Sequence, residues 1–242
     1  MNPDTGSISQ LNTSGFDAAI LMHTAPTITK DEMKFLAEQT IPIVLLGIVP
    51  GSFEVSTVNS DDAAAAITAC RYLVDHGHRK LAVITANSES PIARKRQLAF
   101  QDTADRFGAS CLILDLHAQS GEHTPTRCAD MLDEFLGAQP GKLPFTAVYA
   151  LSSSLVPVLA KKLQNYGFRV PEDVSVIGHG CNDEGAKFMP PMTEVSIDSD
   201  AEVAAVFSGL SELLDGKKRQ FNKIVPTKLE VRSSVRDVRK FR

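Results

Sequence analysis

Short apolar runs rich in Val, Ile and Leu recur along the chain, and between them apolar positions return with helical spacing. That alternation predicts the strands of a parallel sheet separated by covering helices. Strands are expected at 18–22, 42–46, 80–85, 111–114, 147–150 and 174–177. Helices are expected at 29–39, 62–76, 91–107, 124–136, 155–166 and 200–214. Several of these helices end at residues that stop a helix: Gly77, Gly108, Gly167 with Pro171, and Gly216.

From Lys80 onward, consecutive βα units make one complete doubly wound subdomain, whose binding edge lies at the carboxyl ends of its strands. The segment before it offers only two good strands, and a two-stranded parallel sheet is marginal alone. Extended stretches at 55–61, 193–198 and 225–231 read as links between two lobes. Helix 200–214 then returns to the first lobe and the final strand to the second. The expected division is 15–60 plus 198–224 as a partial amino-terminal lobe and 61–197 plus 225–236 as the carboxyl-terminal lobe. Residues 1–14 and 237–242 are expected to be flexible termini. Two lobes joined by several crossings form a hinged cleft suited to ligand-driven closure.

Composition narrows the function. Hydrophobic residues make up 43% of the 242, enough for a substantial core, and the net charge of -4 gives no general attraction to a phosphate backbone. No apolar run approaches the ~18 residues of a membrane span. The start, MNPDTGSISQLNTSG, lacks the basic and apolar parts of a secretory signal, so a cytoplasmic location is expected. Cys70, Cys111, Cys128 and Cys181 form no CxxC pair and read as reduced, mostly buried residues. The arginine-bearing end, 232–242, reads as a frayed, solvated terminus. No cofactor is expected.

Four motifs then carry more specific information: RYLVDHGHRKLAVI at 71–84, ARKRQLAF at 93–100, NYGFRVPEDVSVIG at 165–178 and MPPMTEVSID at 189–198. In their order and spacing they resemble the effector-binding core of the lactose/galactose-repressor (LacI/GalR) family of bacterial transcription regulators. The likeness runs from about Gly15 to Val235. It implies an α/β, two-lobed, periplasmic-binding-protein-like fold with parallel doubly wound sheets and an incomplete amino-terminal lobe. It also implies a small-molecule effector in the inter-lobe cleft and a homodimer formed through the first lobe. Operator DNA would be read only through a helix-turn-helix that has no counterpart in this chain. Family members carry an Asn-Asp pair where Ser152 and Ser153 stand, and one or two aspartates where Gly180 and Cys181 stand. Arg96 persists at a ligand-facing place, with Ser90 in the loop before it. His123 occupies a place where an aromatic ring stacks on the ligand, and His23 follows the first strand. The resemblance therefore implies a ligand site of Arg96, Ser90, His123, Ser152, Ser153, Gly180 and His23. With the carboxylates gone, an anionic, less hydroxylated or otherwise sugar-derived effector, or none, fits better than a neutral hexose, because unmade buried hydrogen bonds cost about 1–3 kcal/mol each.

Blander and rival readings stand beside this one. Arg94-Lys95-Arg96 reads equally as a solvated helix face. His179, Cys181 and Asp183 lack the paired spacing of a metal site. Ser152, His123 and Asp183 lack the elbow of a hydrolase nucleophile. His76 and His78 read as a helix stop and a strand entry. A periplasmic-type solute-binding protein remains the alternative function; no motif speaks for an enzyme.

Overall fold

Local sequence explains where the elements begin. The computed structural model describes residues 14–22, 28–46, 55–118, 124–180 and 184–241. In chain order the elements are β1 (Ala19–Met22), α1 (Lys30–Ala37), β2 (Ile43–Leu46), β3 (Ser56–Ser60), α2 (Asp62–Asp75), β4 (Lys80–Thr85), α3 (Pro91–Arg106), β5 (Ser110–Asp115), α4 (Thr124–Gly137), β6 (Ala147–Ala150), α5 (Leu155–Asn165), β7 (Ser175–His179), β8 (Thr193–Ile197), α6 (Ser199–Leu214), β9 (Asn222–Val225) and β10 (Thr227–Glu230). A capping box opens α1: Thr29 Oγ1 accepts the Glu32 N–H at 3.2 Å, and Glu32 Oε2 accepts the Thr29 N–H at 2.9 Å. Pro91 opens α3, where a missing N–H costs nothing. After α2, Gly77 takes φ +88°, a left-handed conformation that stops the helix.

The chain forms two units, Met1–Asp61 with Asp198–Pro226 and Asp62–Ile197 with Thr227–Arg242. In the first, a four-stranded sheet runs β1-β2-β3-β9, all neighbours parallel. Only two strands were expected there. β3, Ser-Thr-Val-Asn-Ser, is too polar to signal itself, yet its ladder to β2 and β9 makes it a central strand. Ile28, Met33, Leu36, Ile43, Leu45 and Val55 form this unit's core cluster. On α6, Gly209 leaves room for Phe221, whose ring would stand 2.2 Å from an added Cβ.

In the second unit a six-stranded sheet runs β10-β8-β7-β6-β4-β5, with β10 antiparallel and the rest parallel. Strand order reverses where β6 meets β4, the arrangement that places ligands beyond the carboxyl ends of the strands. Alternate strand residues serve two apolar clusters. Ala82, Ile84, Val148 and Val176 pack with α4 and α5, whereas Leu81, Val83, Tyr149 and Ile177 pack with α2 and α3. Two expectations need correction. Residues 193–198 do hold a crossing between the units, at Ile197–Asp198, but they are not a bare link, because Thr193–Ile197 is a mostly buried strand paired on both sides.

The arginine-bearing end is not frayed through Val238 either. Ser234 is fully buried and donates to the Val176 carbonyl at 2.6 Å while accepting the Thr193 N–H at 2.8 Å. Arg232 donates to Glu194 Oε1 at 2.6 Å, and the Val238 N–H reaches the His76 carbonyl at 2.9 Å. Sequence pattern missed this because the tail's partners lie far away along the chain. His78 is buried where the tail packs. Its Nδ1 lies 2.9 Å from Thr146 Oγ1, and its Nε2 donates to the Arg236 carbonyl at 3.1 Å. Burial pushes its pKa down to about 4.

Candidate functional site

The second unit gathers polar groups at the carboxyl ends of three adjacent strands. β4 ends in the loop that carries Ser90, β6 ends at Leu151 and the serine run 152–154, and β7 ends at His179 and Gly180. Ser90 stands at the start of α3 with its side chain uncommitted to capping. Ser152 and Ser154 hydroxyls are 3.1 Å apart, and Ser153 is exposed. Gly180 has φ +70°, which favours glycine, and nothing lies within 4 Å of where its Cβ would be. His23 and His123, expected at the site, lie outside the described residues, as do Cys181 and Asp183.

Arg96 ties this edge together. Arg94 and Lys95 face solvent, whereas the Arg96 side chain is 14% exposed and its partner Asp62 3%. Arg96 Nε and Nη2 donate to Asp62 Oδ1 at 2.8 and 2.6 Å, and Nη1 donates to the Leu151 carbonyl at 2.7 Å. The guanidinium therefore fastens the start of α2 to the end of β6, in the planar geometry that suits arginine and not lysine. Three of its five N–H donors are used, and the other two have no partner among the described residues.

Beside it, His179 Nδ1 lies 2.6 Å from Tyr149 Oη, and Tyr149 stacks on Phe100 of α3 at 5.4 Å between ring centroids. Burial first, and then the positive charge of Arg96, holds the His179 pKa well below the usual imidazole range. Asp115, at the end of β5, is occupied by backbone: its two oxygens accept the Ser88 N–H at 3.1 Å and the His117 N–H at 2.8 Å.

Asp62, Tyr149 and His179 were missed as site residues. Asp62 read as an ordinary acidic helix start, Tyr149 as strand filling, and His179 as part of a loop. Chemically the set offers donors and hydroxyls around a neutralised ion pair, an arrangement able to hydrogen-bond a small polar molecule. No group of three His, Cys, Asp or Glu residues able to hold a metal ion occurs among the described residues. Among them, too, no helix is long and apolar enough to cross a membrane. Burial pushes the Cys70 and Cys111 thiols up to about 12, which leaves them unreactive. A separate hollow of about 670 Å³, lined by Pro157, Phe168, Phe188 and Met189 among others, shares no residue with this set.

Known proteins were compared with the chain. The family model described as periplasmic binding protein-like domain matches residues 70–235. The HTH-type transcriptional repressor PurR of Aliivibrio fischeri (strain MJ11) is 24% identical over 159 residues, covering 64% of this chain and 45% of that protein. Catabolite control protein A of Priestia megaterium is 22% identical over 212 residues, covering 86% and 62%. Among solved structures, a LacI transcriptional regulator from a Rhodococcus species has 25% identity and a TM-score of 0.79, covering 96% of this chain and 82% of that one. A LacI family regulator from Enterococcus faecium with bound ribose has 21% identity and a TM-score of 0.76, covering 92% and 81%. The chain spans about half the length of the PurR repressors it matches.

Proposed function

This chain belongs to the periplasmic binding protein-like domain family and is a LacI-type effector-binding domain, and from that premise we propose that it senses a small molecule for a bacterial transcription regulator. The effector binds at the carboxyl edge of the second unit's sheet, among Arg96, Ser90, Ser152, Ser153 and Gly180. One observation carries this reading: Arg96 is fixed by Asp62 and the Leu151 carbonyl where two strand ends diverge, with two donors to spare. A side chain locked by its neighbours is what a specific site requires. The reading makes the protein a binder and not an enzyme, in line with relatives named as transcriptional repressors and regulators. Control of an operator then belongs to a helix-turn-helix, an element the described residues do not supply.

The same reading includes a homodimer through the first unit. β1 lies at the edge of its sheet and leaves Ile20 and Met22 exposed near Phe16, the kind of apolar edge that a second copy covers. Sedimentation as a monomer at all concentrations contradicts that part alone.

Binding is tested by thermal shift with a panel of sugars, nucleosides, free bases and carboxylic acids. A ligand at ~100 times its dissociation constant stabilises the fold by about 2.7 kcal/mol. Arg96→Lys keeps the charge but loses the planar fork, and weakens the best compound at least about tenfold. Equal binding by Arg96→Lys, or no stabilisation by any compound, refutes the assignment.

A further inference from the structure

His179 ends β7 one residue before Gly180 and is 6% exposed. Only one of its ring nitrogens is occupied by the protein. Across the 2.6 Å contact the phenol is the stronger donor and the imidazole nitrogen the stronger acceptor, so we assign the Tyr149 hydroxyl as donor to Nδ1. The ring proton then sits on Nε2. Among the described residues nothing pairs with that nitrogen. Packing of Tyr149 between Phe100 and His179 fixes the ring, so the donor is preset in direction.

Two carboxylates at this edge, Asp62 and Asp115, are already engaged by the protein. Asp62 Oδ1 takes two Arg96 donors, and Asp115 takes two backbone N–H groups. Among the described residues the buried groups that stay open are donors, the two remaining N–H groups of Arg96 and the Nε2–H of His179, beside hydroxyls that can serve either way; the Glu89 carboxylate of the same edge lies in solvent.

We propose that His179 Nε2–H is a specificity-determining donor of the effector site, and that the effector is an uncharged compound bearing a carbonyl or ring-nitrogen acceptor. This rests on the effector-binding reading of the same edge. An anion fits poorly because Asp62 already balances the Arg96 charge, so a carboxylate losing its water meets no net positive charge. A hexose fits poorly because its hydroxyl protons need carboxylate acceptors, and Gly180, Ser152 and Ser153 supply none.

The test is a nitrogen-15 NMR titration of the whole chain with nicotinamide, nicotinate and glucose as probes, the first two differing in charge and little in shape. At about pH 7 the His179 ring shows the Nε2-protonated, neutral form. Nicotinamide shifts the Nε2 resonance, whereas nicotinate and glucose bind at least about tenfold more weakly. His179→Phe, which keeps an aromatic ring, loses roughly tenfold in nicotinamide affinity measured well below its thermal midpoint, which itself falls because the Tyr149 hydroxyl loses its acceptor. Tyr149→Phe leaves the tautomer unfixed and loses less. An Nδ1-protonated ring, tighter binding of nicotinate or glucose, or an Nε2 resonance that no probe moves overturns the proposal. If the backbone amides of Ser90, Ser152 and Gly180 still respond to a probe while His179 does not, the effector site stands and only the role of His179 fails. If none of those amides responds, both fail together.

Discussion

In the second unit both faces of a six-stranded sheet are covered by helices and filled by two apolar clusters, whereas in the first, among the described residues, one smaller cluster packs α1 against β1 and β2. Among the described residues the exposed large apolar side chains are denser in the first unit, which is the smaller: Phe16, Ile20 and Met22 around β1, Val203, Phe207 and Leu214 on α6, and Ile224 on β9 belong to it, while Ile67, Leu98, Phe107, Leu112, Tyr166, Met189 and Val231 are scattered over the second. The second unit also holds its buried polar groups in fixed partnerships: Arg96 with Asp62, His179 with Tyr149, and Arg232 with Glu194. The contrast teaches where precision is kept. A rigid scaffold under the strand ends can hold ligand groups in place, and a loosely covered unit can be remodelled by a partner.

The largest expected effect tests the polar partnerships. Glu194 is 1% exposed, with Arg232 on Oε1 and no hydrogen-bond partner on Oε2. Arg232→Ala strands a buried carboxylate and is expected to cost about 3–5 kcal/mol. Hydrogen exchange should show that loss at β8 and β7, with the amides of α1 unchanged. An equal loss in α1 would erase the distinction between the units.

Acid should separate them next. The folded pKa of His78, about 4, lies below the value of about 6.5 in an unfolded chain. The neutral ring is therefore favoured by folding, so its contribution is present above about pH 6.5 and is lost as pH falls towards 4. His179 acts in the same direction. The loss from His78 is on the order of 3 kcal/mol at most. Circular dichroism should show the second unit losing stability over that range, with a flatter profile in His78→Gln. An unaltered profile in the variant would remove His78 as the cause.

A smaller effect belongs to the first unit. Gly209→Ala puts a methyl against the Phe221 ring and is expected to cost about 1–2 kcal/mol by overpacking. Exchange should quicken in α6 and β9 and stay unchanged in β4. Faster exchange in β4 would show that the two units unfold as one.

The run from β4 to β7 was legible in the sequence because each strand is a short apolar run and each helix has a marked end. β3 and β9 were not, since Ser-Thr-Val-Asn-Ser and Asn-Lys-Ile-Val become strands only through their neighbours, whereas β10 was expected as the final strand of the second lobe. The site divides the same way. Arg96, Ser90 and Gly180 came from motifs, but Asp62 meets Arg96 across 34 positions and Tyr149 meets His179 across 30. No local pattern encodes contacts that only the packed sheet creates.

The most direct test of the central claim is hydrogen exchange with and without the compound that stabilises the chain most in the thermal-shift panel. Effector binding at the carboxyl edge predicts slower exchange at 86–96, 150–155 and 178–180, with the first unit's β1 and β2 changed less. Protection confined instead to the hollow around Pro157, Phe168 and Phe188, or absent from all three segments, would contradict it.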